Sequence, residues 1–156
     1  MTRAHQTSTK ITLRDYTPSD FESLYVIDQQ TFEPGIAYSR PQLREYLQLG
    51  GAQCILGETD GKIAGFLITA HEDGVGYVVT IDVLPAYRKQ YVGTALLAEG
   101  ERRLAASGVR SVELETATDN ASAIAFWQKH GYRSHGVVKN YYPNGRDAFS
   151  MSKPLR

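Results

Sequence analysis

The sequence has few of the residues that build covalent or metal-held sites. Cys54 is the single cysteine among 156 residues, so the chain can form neither a disulfide framework nor a cysteine zinc site. The four histidines show no spacing typical of metal ligands, and we expect no metal. Because Cys54 lies in an apolar run, a buried spectator is favoured over a catalytic thiol.

The sequence also lacks an excess of charge and a long apolar run. Seventeen basic residues balance seventeen acidic ones, so no overall field would steer the chain to nucleic acid or to an anionic membrane. No run approaches the roughly 18 apolar residues of a membrane span, and the polar start is not typical of a signal peptide. We expect a cytoplasmic monomer or homodimer without nucleic-acid or membrane partners.

Length and composition fit one domain. Hydrophobic residues make up 42% of the chain and charged residues 22%, which is ordinary globular usage, and the length suffices for one core. No repeat or interdomain linker interrupts the sequence. We therefore predict a flexible arm over residues 1–9 and a single domain over residues 10–156.

Apolar periodicity and turn residues predict the element order β-α-α-β-β-β-α-β-α-β-β. Thr17-Pro18 is typical of a helix start, and Asp60-Gly61 is typical of a hairpin turn. The last two strands are predicted over 132–140 and 146–152. Hairpins followed by a β-α-β crossover predict a mixed α/β sheet with helices on both faces.

The most informative segment runs from Tyr77 to Gly108. A strand ending at Val83 turns through Arg88-Lys89-Gln90 into a helix that begins near Val92-Gly93-Thr94. Free N–H groups and the helix dipole would make an anion site there. The spacing matches neither a P-loop nor a Rossmann turn. An ordinary βα loop with surface cations explains the same pattern, so the residues alone leave both interpretations open.

Three patterns follow one another along the chain. They are Val83-x-Pro85-x-Tyr87-Arg88 leading to Gly93-Thr94-Ala95-Leu96-Leu97, then Leu114-Glu115 with Asn120-x-x-Ala123-x-x-Phe126-Trp127 and Gly131-Tyr132, and finally Asn140-Tyr141-Tyr142-Pro143 with Asp147-Ala148 and Met151. Together they resemble the GNAT superfamily of N-acetyltransferases, in its branch that acetylates ribosomal-protein alanine and other N-terminal amino acids. The resemblance covers about residues 11–154.

The resemblance implies a mostly antiparallel sheet that is split between its fourth and fifth strands, with acetyl-CoA in the split. Backbone groups of Ile81, Asp82 and Val83 would pair with the pantetheine arm, which Asn120 would also contact. N–H groups of the basic loop and helix start would hold the pyrophosphate. The remaining cofactor residues implied are Arg88, Lys89, Gln90, Tyr91, Val92, Gly93, Thr94, Ala95, Ala123, Phe126 and Trp127.

Glu115 is the candidate general base. Acetyl transfer needs a neutral amine, and an α-amine with a pKa near 8 needs only a modest base. From the pattern alone, Glu115 resembles a solvated surface residue, but it matches the family's base. The resemblance also places Tyr38, Tyr141 and Tyr142 around the acceptor, while packing within strands is the alternative for the tyrosine pair.

Two residues depart from the family pattern. Tyr91 stands where most members have glycine, so its side chain must point away from the phosphates. Trp127 stands where close relatives have a tyrosine that is thought to protonate the leaving thiolate. An indole N–H is a donor but not a useful acid. The Tyr142 hydroxyl is a candidate replacement.

We predict an acetyl-CoA-dependent N-acetyltransferase acting on a protein or peptide N-terminus. One alternative is a small-amine acetyltransferase. A polyamine site would need acidic walls, for which the residues available are Glu33, Glu45 and Glu115. Another is a non-enzymatic acetyl-CoA-binding module, in which Trp127 and Tyr91 mark a degraded site. A third is a nucleotide-phosphate binder that uses the basic loop.

Overall fold

The computed structural model describes residues 10–155, and the predicted arm over residues 1–9 lies outside the described residues. The strands are β1 (Thr12–Asp15), β2 (Gln53–Thr59), β3 (Lys62–Glu72), β4 (Val75–Val83), β5 (Ser111–Ala117), β6 (Arg133–Val138) and β7 (Ala148–Pro154). The helices are α1 (Phe21–Thr31), α2 (Arg40–Leu47), α3 (Val92–Ala106) and α4 (Ala121–Lys129). The predicted element order is confirmed. Within residues 10–155, no helix has the length and apolar character to cross a bilayer.

The strands form one seven-stranded sheet in the order β1-β2-β3-β4-β5-β7-β6. Neighbouring residues of a strand point to opposite faces, and β2 shows the consequence. Ile55 packs in a cluster with Leu96 of α3, whereas Leu56 packs in another with Leu24 of α1. The mixed α/β fold with helices on both faces is therefore confirmed.

The sheet is split between β4 and β5. These strands pair in parallel over Val75–Tyr77 and Ser111–Glu113, while all other neighbouring strands pair antiparallel. In the β3–β4 register, Thr80 and Val78 have partners in β3 but Val79 between them has none. Such a bulge bends a strand, and beyond it β4 and β5 no longer pair. A wedge-shaped cleft opens there.

The closing hairpin differs from its prediction. β6 ends at Val138, before the predicted end at Asn140. Asn140 has a positive φ of 51°, and its N–H donates to Asp147 Oδ1 at 2.9 Å, so the chain has already turned. Tyr141 and Tyr142 therefore lie in the connection between β6 and β7, and the alternative interpretation that they pack within a strand is wrong.

Candidate active site

A cavity of about 620 Å³ occupies the cleft between β4 and β5. Its walls come from these strands, the start of α3, helix α4 and the segment between α1 and α2. Most of the residues predicted for the site line it. They are Tyr38, Ile81, Val83, Arg88, Lys89, Tyr91, Val92, Gly93, Thr94, Glu115, Asn120, Ala123, Phe126, Trp127 and Tyr142.

Three predicted cofactor residues are not among those walls. The Asp82 side chain is fully buried. Gln90 turns back, and its Nε2 donates to the Ala86 carbonyl at 3.2 Å. The Ala95 N–H donates to the Tyr91 carbonyl at 3.0 Å. It is therefore an ordinary helical N–H and is not free for a phosphate.

The loop before α3 turns through two left-handed residues. Lys89 has φ 64° and Tyr91 has φ 66°, and Tyr91 is the N-cap of α3. Because the first N–H groups of a helix lack partners within it, those of Val92, Gly93 and Thr94 are donors at the cleft. The Tyr91 side chain is 70% exposed. The loop can therefore present its N–H groups even though tyrosine replaces the usual glycine.

We expect Tyr91→Gly to stabilise the fold by about 1 kcal/mol, because glycine adopts a positive φ without the strain of a side chain. The affinity for CoA should not fall. Thermal unfolding and calorimetric CoA binding measure the two effects. Tyr91→Ala is the matched control, since it removes the ring but keeps the strain. Loss of CoA affinity in both variants would show instead that the Tyr91 ring binds the cofactor.

The far wall of the cleft is aromatic and closely packed. A Cβ on Gly93 would lie 3.2 Å from the Phe126 ring, so glycine lets α3 approach α4. Trp127 is buried and packs edge-on against Phe126 and Tyr132, with ring centroids 5.1 and 5.2 Å apart. The residue in place of the family tyrosine is therefore part of the core as well as of the cleft wall.

Asn120 joins the cleft to the start of α4. Its Oδ1 accepts the Ala123 N–H at 3.1 Å, which makes it the N-cap of the helix. The same residue lines the cavity. The cleft therefore has an unpaired strand edge, free N–H groups at a helix start and an apolar wall. This combination fits a ligand that carries both an amide-bearing arm and a diphosphate, as acetyl-CoA does.

Glu115 and Tyr142 line the cleft, while the predicted residue Tyr141 is not among the cavity walls and contacts both of them. Glu115 lies on β5 between inward-facing neighbours, and the Tyr141 hydroxyl donates to its Oε1 at 3.2 Å. The Tyr141 and Tyr142 rings pack edge to face, 4.9 Å apart. Burial, followed by the charge of Glu115, raises the pKa of Tyr142 to about 12. Burial and the same charge also raise the pKa of Tyr141, so both hydroxyls stay protonated at neutral pH.

Tyr38 forms the opposite wall. Its hydroxyl donates to the Val79 carbonyl at 3.1 Å, beside the bulge of β4. Phe32 and Ile36 line the cleft near it, and the sequence analysis did not single them out. They are apolar side chains in a segment interrupted by Pro34-Gly35, which is the signal that could have identified them.

The β6–β7 connection also bridges to the loops beside the cleft. Arg146 pairs with Asp119 and, at 3.1 Å, with Glu33. Asn144 Nδ2 donates to the same Glu33 carboxylate at 3.0 Å. Glu45 does not line the cavity. Three acids were candidates for the walls of a polyamine site, and of these only Glu115 lines the cleft. Among the ion pairs of residues 10–155, none includes Glu115.

The sequence model described as the Acetyltransferase (GNAT) family matches residues 21–132. The chain belongs to the GNAT family. It is an N-acetyltransferase, as the resemblance implied, and members of this family use acetyl-CoA. Within residues 10–155, no group of three or more histidine, cysteine, aspartate or glutamate side chains is arranged to hold a metal ion.

Several proteins similar to this chain are named for acetylation of protein N-termini. An N-alpha-acetyltransferase of Sulfurisphaera tokodaii is 32% identical over 71% of this chain and 74% of that protein. The ribosomal protein bS18-alanine N-acetyltransferase of Escherichia coli is 36% identical over 62% of this chain and 67% of that protein. The crystal structure of the S18-alanine enzyme from Escherichia coli superposes with a TM-score of 0.83, at 28% identity and 94% coverage of both chains.

Proposed function

We propose that this N-acetyltransferase acts on the α-amine of a protein or peptide N-terminus. The observation that carries the proposal is that Glu115, Tyr142 and Tyr38 line one cavity, with the Tyr141 hydroxyl donating to Glu115 from behind. The names of the N-alpha-acetyltransferase and ribosomal-protein-alanine relatives support it. The pairing of Glu33 with Arg146 weighs against a polyamine, which would need free acidic walls.

Bound acetyl-CoA would supply the thioester whose acetyl group is transferred. In the proposal, the backbone of Ile81–Val83 pairs with the pantetheine arm, and the N–H groups at the start of α3 hold the pyrophosphate. Asn120, Ala123 and Phe126 form the facing wall. The buried Trp127 ring continues that wall and has no part in proton transfer.

Glu115 acts as the general base. An α-ammonium group with a pKa near 8 gives up its proton to a carboxylate directly or through one water. The hydrogen bond from the Tyr141 hydroxyl orients the Glu115 carboxylate toward the cleft. Tyr38 and Tyr142 limit the space on either side, so the first residue of a peptide would be held between them.

Tyr142 serves as a hydrogen-bond donor to the leaving group. With a pKa of about 12, its hydroxyl is a weaker acid than free tyrosine but keeps its proton throughout the working range. A thiolate with a pKa near that of cysteine, about 8.5, leaves at modest cost without full protonation.

We therefore expect Tyr142→Phe to lower kcat by about tenfold, because it removes one donor and leaves the ring in place. Steady-state kinetics at saturating acetyl-CoA measure the effect. Tyr77→Phe is the matched control, since Tyr77 is exposed and is absent from the cavity walls. Equal kcat values for Tyr142→Phe and wild type would exclude the donor role.

A thiol-release assay tests the proposed acceptor. Acetyl-CoA is offered with short peptides, an N-terminally blocked peptide that carries lysine, and spermidine. Turnover with free peptide N-termini supports the proposal, and turnover with spermidine alone would favour the small-amine alternative. Tight CoA binding without turnover of any of these acceptors would contradict the peptide assignment and favour a cofactor-binding module.

A further inference from the structure

Two buried carboxyl groups lie beneath the cleft, and the proposed chemistry does not use their side chains. Asp28 of α1 is 1% exposed and Asp82 of β4 is 0% exposed. Asp82 Oδ1 accepts the Thr80 hydroxyl at 2.7 Å, and Asp28 Oδ2 accepts the Tyr38 N–H at 2.6 Å. The second oxygen of each, Asp28 Oδ1 and Asp82 Oδ2, is buried without a conventional donor.

One shared proton would satisfy both of these oxygens. Helix α1 packs on β4, which makes the two carboxyl groups hydrogen-bonding neighbours. Two ionised carboxylates could only accept, so a hydrogen bond between them requires a proton. Burial, the contact with Asp28 and the Asp28 charge raise the pKa of Asp82 well above its usual range, so Asp82 carries the proton and donates to Asp28. With Asp82 as the donor, neither of these two oxygens is left unpaired, and unpaired buried acceptors are rare in native interiors.

The surroundings supply no cation that would stabilise a second negative charge. Within residues 10–155, no ion pair includes Asp28 or Asp82. The titratable neighbours are Tyr38, from the segment between α1 and α2, and Cys54 of β2. Burial raises the pKa of both, so both are neutral at neutral pH.

Tyr38 is thereby connected to β4 through two of its groups, the hydroxyl and the backbone N–H. Its hydroxyl reaches Val79 directly, and its N–H reaches Asp82 through Asp28. We propose that Asp28 and Asp82 form a proton-sharing positioning pair that holds the Tyr38 wall of the acceptor site against the strand that binds acetyl-CoA. The inference rests on the proposed function, because it assigns the Tyr38 wall to the acceptor.

The pair makes the wall sensitive to a rise in pH through the folded pKa of Asp82. Removal of the shared proton places two negative charges in contact and breaks the link from Tyr38 to β4. Asp82 ionises near pH 4 in the unfolded chain but stays protonated in the fold, so folding takes up a proton. The contribution of the pair to stability is therefore complete below about pH 4 and is lost as the pH rises through the folded pKa.

Two substitutions of Asp28 distinguish the hydrogen bonds that connect Tyr38 to Asp82 from the negative charge of the Asp28 carboxylate. Asp28→Asn keeps an oxygen for the Tyr38 N–H and brings its own donor to Asp82, whereas Asp28→Leu removes both. We expect Asp28→Leu to raise the KM for a peptide acceptor by about tenfold, with kcat and the KM for acetyl-CoA changed less than about threefold. Asp28→Asn should keep the wild-type KM and lose the rise of that KM that the wild type shows as the pH increases.

Leu24→Ala is the control for simple destabilisation, since Leu24 is fully buried on the same helix and forms none of these hydrogen bonds. Equal KM changes in Leu24→Ala and Asp28→Leu would overturn the proposal, as would an acceptor KM that rises as much in Asp28→Asn as in Asp28→Leu. If Asp28→Leu does not fold, the pH dependence of the acceptor KM is compared between the wild type and Asp28→Asn. The same pH dependence in both proteins would overturn the proposal.

Hydrogen exchange of the Tyr38 amide tests the pair without any acceptor. After correction for the intrinsic pH dependence of exchange, protection should fall with rising pH in the wild type and persist in Asp28→Asn. If that result were obtained and no peptide were acetylated, the Asp28–Asp82 pair would be supported and the peptide acceptor would be excluded. Acetylation of peptides with identical Tyr38 protection in wild type, Asp28→Asn and Asp28→Leu would overturn the pair alone.

Discussion

We expect Glu115→Gln to lower turnover by about 10²-fold or more while the affinity for CoA stays close to wild type. The amide keeps the size of the carboxylate and can still accept the hydrogen bond that Tyr141 donates to Glu115, but it cannot take a proton from the acceptor ammonium. Pre-steady-state transfer rates and calorimetric CoA binding measure the two quantities. The loss should shrink at high pH, where more of the amine is already neutral.

Glu113→Gln is the matched control. Glu113 lies on the same strand and face as Glu115 and is exposed, but it is absent from the walls of the cavity. We expect it to change turnover less than twofold. Equal turnover in Glu115→Gln and wild type would exclude the base role, and equal losses in the two variants would indicate a general effect of charge.

We expect Gly65→Ala to destabilise the protein by about 3 kcal/mol or more and to weaken CoA binding. Gly65 pairs with Val83 across β3 and β4, and an added Cβ would lie 2.3 Å from the Asp82 carbonyl oxygen. Since that atom is backbone, the strand that lines the cleft must move. Urea unfolding and CoA titration measure the two effects.

Gly50→Ala is the control, because nothing lies within 4 Å of a Cβ at that position. Its stability should stay within about 0.5 kcal/mol of wild type. If the stability and the CoA affinity of Gly65→Ala equalled those of the wild type, the close packing of β3 against β4 at Gly65 would be contradicted.

The fold and much of the cleft could be predicted from the sequence because their determinants are local. The basic loop, the helix start at Val92 and the alternation of β5 lie within short segments, and the family patterns fixed their order. These segments also placed Glu115 and Asn120 at the cleft. The roles given to these residues remain proposals.

Other features depend on contacts between distant segments, which periodicity does not encode. Asp28 and Asp82 meet because α1 packs on β4, and each alone resembles an ordinary surface acid. Arg146 joins Glu33 to Asp119 only after the β6–β7 connection has folded between the loops that carry them. Ala95 lies one position beyond the free N–H groups at the start of α3, because its own N–H already donates to the Tyr91 carbonyl.

Mass spectrometry of a peptide that bears both a free α-amine and an internal lysine tests the central claim most directly. The peptide is incubated with acetyl-CoA and the wild-type protein, with Glu115→Gln as the background control, and fragmentation locates the acetyl group. We predict acetyl on the α-amine, with Glu115→Gln reduced by about 10²-fold. Acetyl on the lysine alone, or no transfer above the uncatalysed rate, would contradict the assignment of a protein N-terminus as the acceptor.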